Sequence, residues 1–358
     1  MGDGAKVRGR AGRARGTRGR DRPGQRAPGD TSGRGRSGRD RRLRGGERAV
    51  TSEATESGHR TGFVGIVGRP NVGKSTLLNK LVGEQVAIAT PKPQTTRDRI
   101  RGIRTWDDWQ AVFVDTPGIH EPRTRLNRYM VDLAVGTLAE VDLAYLLVDA
   151  PALIERQAKN DAENERIIGY VAEAKTPTFL LVNKIDMVKD KGLLLPMIER
   201  LAGLHAFAEV VPISARRGEG LEALLQLTRE RLPEGPAMFD ADELTDRPVR
   251  FLAAELVREQ LIMQLGQELP YHAAVRVDAW EERPNGTVAL YATIVVGRKS
   301  HKPIVVGRAG AKIKAIGQSS RLRIERFLER SVYLDLRVKV DEGWIDKPDA
   351  LRELGYEE

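Results

Sequence analysis

Five short apolar runs, at 62–68, 109–115, 142–150, 177–184 and 208–215, recur along the middle of the chain. They lack the polar alternation of a strand with one wet face, so each predicts a strand buried on both sides. Between them lie stretches of helical period at 74–82, 124–139, 161–174, 192–203 and 218–231. Strand and helix in alternation restrict this part to an α/β fold, a mostly parallel sheet with helices on both faces. The segment 97–115 departs from the pattern. It reads as a hairpin turning near Asp107 and Asp108, which adds one antiparallel strand at the sheet edge.

The flanks differ in composition. Residues 1–50 hold 15 Arg and Lys6 against five acidic residues, together with 13 Gly and few large apolar side chains. Such a stretch cannot bury enough apolar surface to offset the entropy of ordering it, so 1–58 is expected to be a disordered basic arm. It reads either as a solubilising tail or as an arm that adds affinity for RNA phosphates. The chain has no cysteine, which removes disulfide and thiol chemistry. No apolar run approaches the ~20 residues of a membrane span, and the first residues are too polar for a secretory signal. These features predict a soluble, cytoplasmic protein.

Residues 68–75, GRPNVGKS, match G-x-x-x-x-G-K-[ST] between a predicted strand and a predicted helix. Gly68 and Gly73 let backbone N–H groups approach phosphates, and Lys74 reaches the β- and γ-phosphate oxygens. The Ser75 hydroxyl is the expected Mg²⁺ ligand. The whole loop (Gly68, Arg69, Pro70, Asn71, Val72, Gly73, Lys74, Ser75 and Thr76) is taken as the phosphate site. The base is read elsewhere, by NKID at 183–186. Asp186 can accept two hydrogen bonds from guanine, a donor pair that adenine lacks. Asn183 is expected to tie this loop to the phosphate loop, the Lys184 stem to cover the base, and the Ala215 N–H to face guanine O6, with Ser214 included in the site. In DTPG, 115–118, Asp115 is expected to hold Mg²⁺ through water and the Gly118 N–H to meet the γ-phosphate, with Thr116 and Pro117 included in the nucleotide site; a plain turn at Pro117 and Gly118 is the alternative. Thr96, in preference to Thr95, supplies the switch hydroxyl that completes the metal shell. Lys74, Thr96 and Gly118 are thus the residues assigned to hydrolysis. GTP, GDP and Mg²⁺ are the expected ligands.

The position after DTPG holds Ile119, where many GTPases place the Gln that orients the attacking water. Slow intrinsic hydrolysis is expected. The motif order, the apolar residue after DTPG and the TTRD switch resemble a GTPase superfamily of ribosome-assembly and tRNA-modification proteins. Several of its members carry Asn at the Asn71 position, where it helps to hold K⁺; a turn-forming role is the alternative here.

A Pro-, Gly- and acid-rich stretch at 232–248 reads as a linker between a nucleotide-binding domain (59–232) and a second domain (248–340), with 341–358 as a C-terminal tail. In the second domain an amphipathic helix (249–265) precedes strand-like runs at 273–280 and 287–296. Then come PIVV, GRAG at 307–310, a helical stretch at 311–330 and the strand VYLDLRVKV at 332–340. This order resembles the α+β type II KH domain, whose G-x-x-G loop clamps single-stranded nucleic acid between two helices. Residues 297–326 carry nine Lys or Arg against Glu325 alone, the charge pattern of a nucleic-acid face. Gly307, Arg308, Ala309, Gly310, Lys312 and Lys314 are the expected RNA contacts.

Residues 62–358 resemble the Era family of GTPases through GRPNVGKSTLLNKLVG, QTTRDRIRGI, DTPGIH, NKID, VPISA, ELPY, IVVGRAGAKIKAIG, VKVDEGW and LRELGY. The resemblance implies binding of 16S rRNA near its 3′ end on the 30S subunit, some peripheral association with the cell membrane, a monomer and no DNA partner. The arm lies outside the family pattern. Two other readings are an RNA-binding chaperone with a structural nucleotide site, and another assembly or tRNA-modification GTPase of the superfamily.

Overall fold

The computed structural model describes residues 7–8, 58–155, 157–266 and 268–356. The arm expected at 1–58 therefore lies outside the described residues, apart from Gly58 and the pair Val7–Arg8, which lies antiparallel to Glu243–Thr245.

The first domain is one six-stranded sheet. Its strands are β1 (Arg60–Gly68), β2 (Ile100–Trp106), β3 (Trp109–Asp115), β4 (Leu143–Asp149), β5 (Thr178–Asn183) and β6 (Glu209–Pro212), in the order β2-β3-β1-β4-β5-β6. Only the edge strand β2 is antiparallel, turning at Asp107–Asp108 where the Trp106 and Trp109 rings stack 3.9 Å apart. The unbroken apolar runs have a direct cause in the layers. Along β4, Leu143, Tyr145 and Leu147 face the core under α1 (Lys74–Val82) and α6 (Leu221–Arg231). Ala144, Leu146 and Val148 face the opposite core, built with α2 (Arg125–Ala139), α4 (Gln157–Ala174) and α5 (Leu194–Ala202). A short α3 (Ala150–Glu155) follows β4 directly. Alternate side chains go to opposite faces and both faces are dry.

The second domain places α7 (Val249–Gln264), α8 (His301–Val306) and α9 (Ala311–Leu328) on one face of a three-stranded sheet. Its strands β8 (Ala273–Glu282), β9 (Val288–Val296) and β10 (Val332–Val340) run in the order β10-β9-β8, with β9–β10 parallel and β8–β9 antiparallel. PIVV, read only as an apolar piece, is the body of α8.

The segment expected as a linker is anchored along its length. Gln110 accepts from the Met238 and Phe239 backbones, Asp246 pairs with Arg101, and Arg247 pairs with Asp98. Its strand β7 is Glu243–Thr245. The segment expected as a tail folds too. Trp344 and Leu351 are fully buried, and α10 (Pro348–Glu353) leads to Tyr356. With Ile345 these form a core shared with Leu126 and Met130 of α2. Residues 344–356 thus join the two domains instead of trailing from the second.

Candidate nucleotide site and RNA groove

The C-terminal ends of β1, β3 and β5, with the loop after β6, open on one cavity of about 690 Å³. This is where ligands of open parallel sheets bind. Pro70, Asn71, Gly73, Lys74, Ser75, Thr76, Thr96, Gly118, Asn183, Lys184, Asp186 and Ala215 all line it.

The phosphate end is closely packed around its glycines. A Cβ on Gly118 would stand 2.7 Å from the Pro70 nitrogen, and one on Gly73 would lie 2.4 Å from Asn183 Nδ2. Gly73, at φ 104°, ends the loop and begins α1. The buried Lys74 ammonium donates to the carbonyls of Gly68 (3.2 Å) and Arg69 (2.9 Å). It has three donors, so one is left for a phosphate oxygen. Burial lowers its pKa to about 8, against the opposing pull of Asp115.

The residues for a metal converge. Ser75 Oγ donates to Asp115 Oδ2 at 2.6 Å and lies 2.8 Å from Thr96 Oγ1, which itself is 3.2 Å from Oδ2. Asp115 is fully buried, its Oδ1 has no protein partner, and burial raises its pKa to about 6 although Lys74 opposes this. Two hydroxyls and a carboxylate with an orphaned oxygen suit a hard divalent cation. Mg²⁺ there would draw the terminal phosphates together and offset their charge. Thr95 is set differently, its hydroxyl donating to the Lys92 carbonyl and meeting Thr90.

At the base end, Asn183 Nδ2 donates to the Val72 carbonyl (2.7 Å), while its Oδ1 accepts from the Ala215 N–H (3.0 Å). One side chain therefore ties three loops together. Ser214 donates to Asp186 Oδ1 (2.8 Å), which orients the carboxylate, and Arg217 approaches Oδ2 at 3.7 Å. Lys184 donates to the Asn71 carbonyl. Several residues assigned to the site act from outside the cavity. Thr116 donates to the Ile66 carbonyl from a fully buried position, Val72 is core, and Arg69 pairs with Glu163. Met187 and Arg216 line the base end and Gln94 lines the cavity too, none of which the motifs had singled out.

In the second domain, Gly307 (φ 73°) and Gly310 (φ 76°) bracket Ala309, itself left-handed at φ 49°. A Cβ on Gly307 would stand 2.6 Å from that of Lys312, so the turn between α8 and α9 requires glycine. Beside it a groove is lined by Ile313, Lys314, Gly317, Gln318, Arg321, Leu334 and Leu336. Lys314 and Arg321 lie on α9, and the two leucines come from alternate positions of β10. Lys312, expected to touch RNA, instead donates to the Gln264 carbonyl and closes the end of α7.

The two sites are joined through the switch. Arg97, next to Thr96, is buried in the second domain and donates to the carbonyls of Ala273 (2.8 Å), Pro270 (2.9 Å) and Tyr271 (3.1 Å). Its guanidinium carbon lies 5.9 Å from the ring centroids of both Trp344 and Tyr356. Arg258 of α7 donates to the Thr95 carbonyl, and Lys92 donates to those of Ile262 and Leu265.

Residues 63–184 match the family model described as a 50S ribosome-binding GTPase, and 268–345 match the KH domain model. The chain is 48% identical to the GTPase Era of Trichlorobacter lovleyi over 303 residues, 85% of this chain and all of the relative. The chain belongs to the GTPase Era family. A second relative, GTPase Era of Geobacter metallireducens, is 46% identical over 83% of this chain and 98% of its own length. Among solved structures, Aquifex aeolicus Era bound to GDP and AlF₄⁻ is 37% identical with a TM-score of 0.78. Era in complex with MgGDPNP and nucleotides 1506–1542 of 16S ribosomal RNA is also 37% identical, with a TM-score of 0.79. Each covers 84% of this chain and is itself covered in full. Era membership makes the chain a GTPase with a mixed-sheet nucleotide domain and a KH module.

Proposed function

We propose that this GTPase uses Mg²⁺·GTP to set the arrangement in which its KH groove holds single-stranded 16S rRNA near the 3′ end, during assembly of the small ribosomal subunit. The observation that carries the reading is the position of the switch. The Thr96 hydroxyl meets Ser75 and Asp115 while its neighbour Arg97 is held by the second domain. A ligand that orders Thr96 therefore acts on the interdomain contact, and only such differential affinity can shift a conformation. The rRNA seen with a solved relative favours the small subunit over the large one named in the family description.

K⁺ is proposed beside the phosphates. Asn71 has φ 64° and donates its Nδ2 to the Pro91 carbonyl, which leaves Oδ1 for a cation. The arm is proposed as a second, sequence-independent RNA contact. Peripheral membrane contact and a monomeric state remain implications of the family; among the described residues no helix is long and apolar enough to cross a membrane.

The test is titration of a 16S 3′-end strand and a scrambled strand with protein loaded with a GTP analogue or with GDP. Preferential, GTP-enhanced binding of the 3′-end strand is expected. Equal binding of that strand in both nucleotide states would favour a chaperone with a structural nucleotide.

A further inference from the structure

Ile119 has no group with which to align the attacking water, yet a glutamine does line the cavity. Gln94 lies two residues before the metal-cluster threonine, in the left-handed region at φ 57°. Non-glycine residues in that region are uncommon and cluster at functional sites. Its Nε2 is 3.2 Å from His120 Nε2, and His120 Nδ1 is 2.8 Å from the Gly118 carbonyl.

These contacts assign the hydrogens. A carbonyl only accepts, so His120 Nδ1 carries the proton that it donates to Gly118. In the neutral imidazole Nε2 is then an acceptor, and the Gln94 amide must donate to it. That choice leaves Oε1 as the free end of Gln94, and no other described residue donates to it. A free carbonyl oxygen is the acceptor that an attacking water needs in order to turn its lone pair toward phosphorus.

We propose that Gln94 is the water-orienting residue of this GTPase, and that His120 is the positioning residue that fixes its amide. The proposal rests on the GTPase reading. In the step, the water oxygen bonds to the γ-phosphorus, the bond to the β–γ bridging oxygen breaks, and GDP leaves with that electron pair. The water protons end on phosphate oxygens. Gln94 accepts a hydrogen bond throughout and takes no proton. The clamp also joins the switch threonine's loop to the DTPG loop, so Gln94 is aligned only while both loops are in place.

The experiment uses the full chain with Mg²⁺ and GTP. Gln94→Ala is expected to lower kcat about 100-fold, within the range for loss of one preorganised polar group, with KM within about threefold. Independently of turnover, it should lose affinity for GDP·AlF₄⁻ while keeping that for GDP. His120→Phe should lower kcat about tenfold, His120→Gln should restore most of it, and His120→Phe should add nothing in the Gln94→Ala background. Unchanged turnover in Gln94→Ala, or additive losses in the double variant, would overturn the proposal. Wild-type turnover, measured alongside, tests the GTPase reading separately.

Discussion

The nucleotide cavity and the groove proposed for RNA would both meet phosphates, yet they are built in opposite ways. At the phosphate end of the cavity the charged groups are buried and fixed: Lys74 on two carbonyls, Asp115 at zero exposure beside two hydroxyls. In the groove the charges sit on the solvent side of α9, and the floor is apolar. Buried, preorganised charge gives large effects at single residues, because each loss leaves a desolvated partner behind. Exposed charge gives effects that are smaller, additive and screened by salt. Selectivity should therefore be concentrated in the first region and spread out in the second.

The largest effect should come from Lys74→Ala. Removing the Lys74 ammonium should weaken GTP and GDP binding by about 100-fold, the loss of its one free charge-assisted bond near the top of the range of about 1.5–3 kcal/mol. Fluorescent-nucleotide titration reads this directly. Retained affinity would show that the backbone loop alone suffices.

Next is the exposed region. Arg308→Asp with Ala309→Asp sets carboxylates at the turn bracketed by Gly307 and Gly310. RNA affinity should fall about 30-fold, with nucleotide affinity unchanged. Each phosphate that loses its cationic partner should reduce the log–log salt slope by about 0.7. A parallel loss of GTP affinity would mean that the turn also supports the interdomain contact.

The smallest effect tests the buried carboxylate. Asp115 has a pKa near 6, above the ordinary 3.8, so its proton competes with a cation as pH falls. Mg²⁺ affinity should drop about tenfold from pH 7 to pH 5, the change in its ionised fraction. Without a cation the sign reverses: the raised pKa costs stability as pH rises from about 4 to 6, and that loss is complete above 6. Added Mg²⁺ should therefore raise Tm more at pH 7 than at pH 5. A pH-independent gain would remove Asp115 from the metal shell.

What could be read from the sequence follows the same division. The parallel sheet was legible because both of its faces are dry, which forces unbroken apolar runs such as Leu143–Asp149. The edge hairpin was legible from Asp107-Asp108 between two β-rich segments. The phosphate loop, NKID and DTPG were legible because backbone approach and guanine pairing admit few residue types at fixed spacing. Gln94 and His120 were not, because their meeting depends on how two loops fold together. Arg97 stood in the sequence only as part of the TTRD stretch, and nothing local says that its partners are three carbonyls about 175 residues away. The segment 341–358 looked like a tail because Trp344 and Tyr356 are sparse among charged residues, and their burial needs α2 of the other domain.

The seat of Arg97 has a thermodynamic consequence. Its carbonyl partners belong to the KH domain, and its neighbour Thr96 stands beside Ser75 and Asp115, the residues proposed to hold the metal. If GTP strengthens the hold on rRNA by some factor, rRNA must strengthen the hold on GTP by the same factor. An unfinished ribosomal precursor would then act as an effector of nucleotide retention in its own right. The bound nucleotide would be held most tightly while the RNA end still needs covering, and less tightly once later assembly steps withdraw that end.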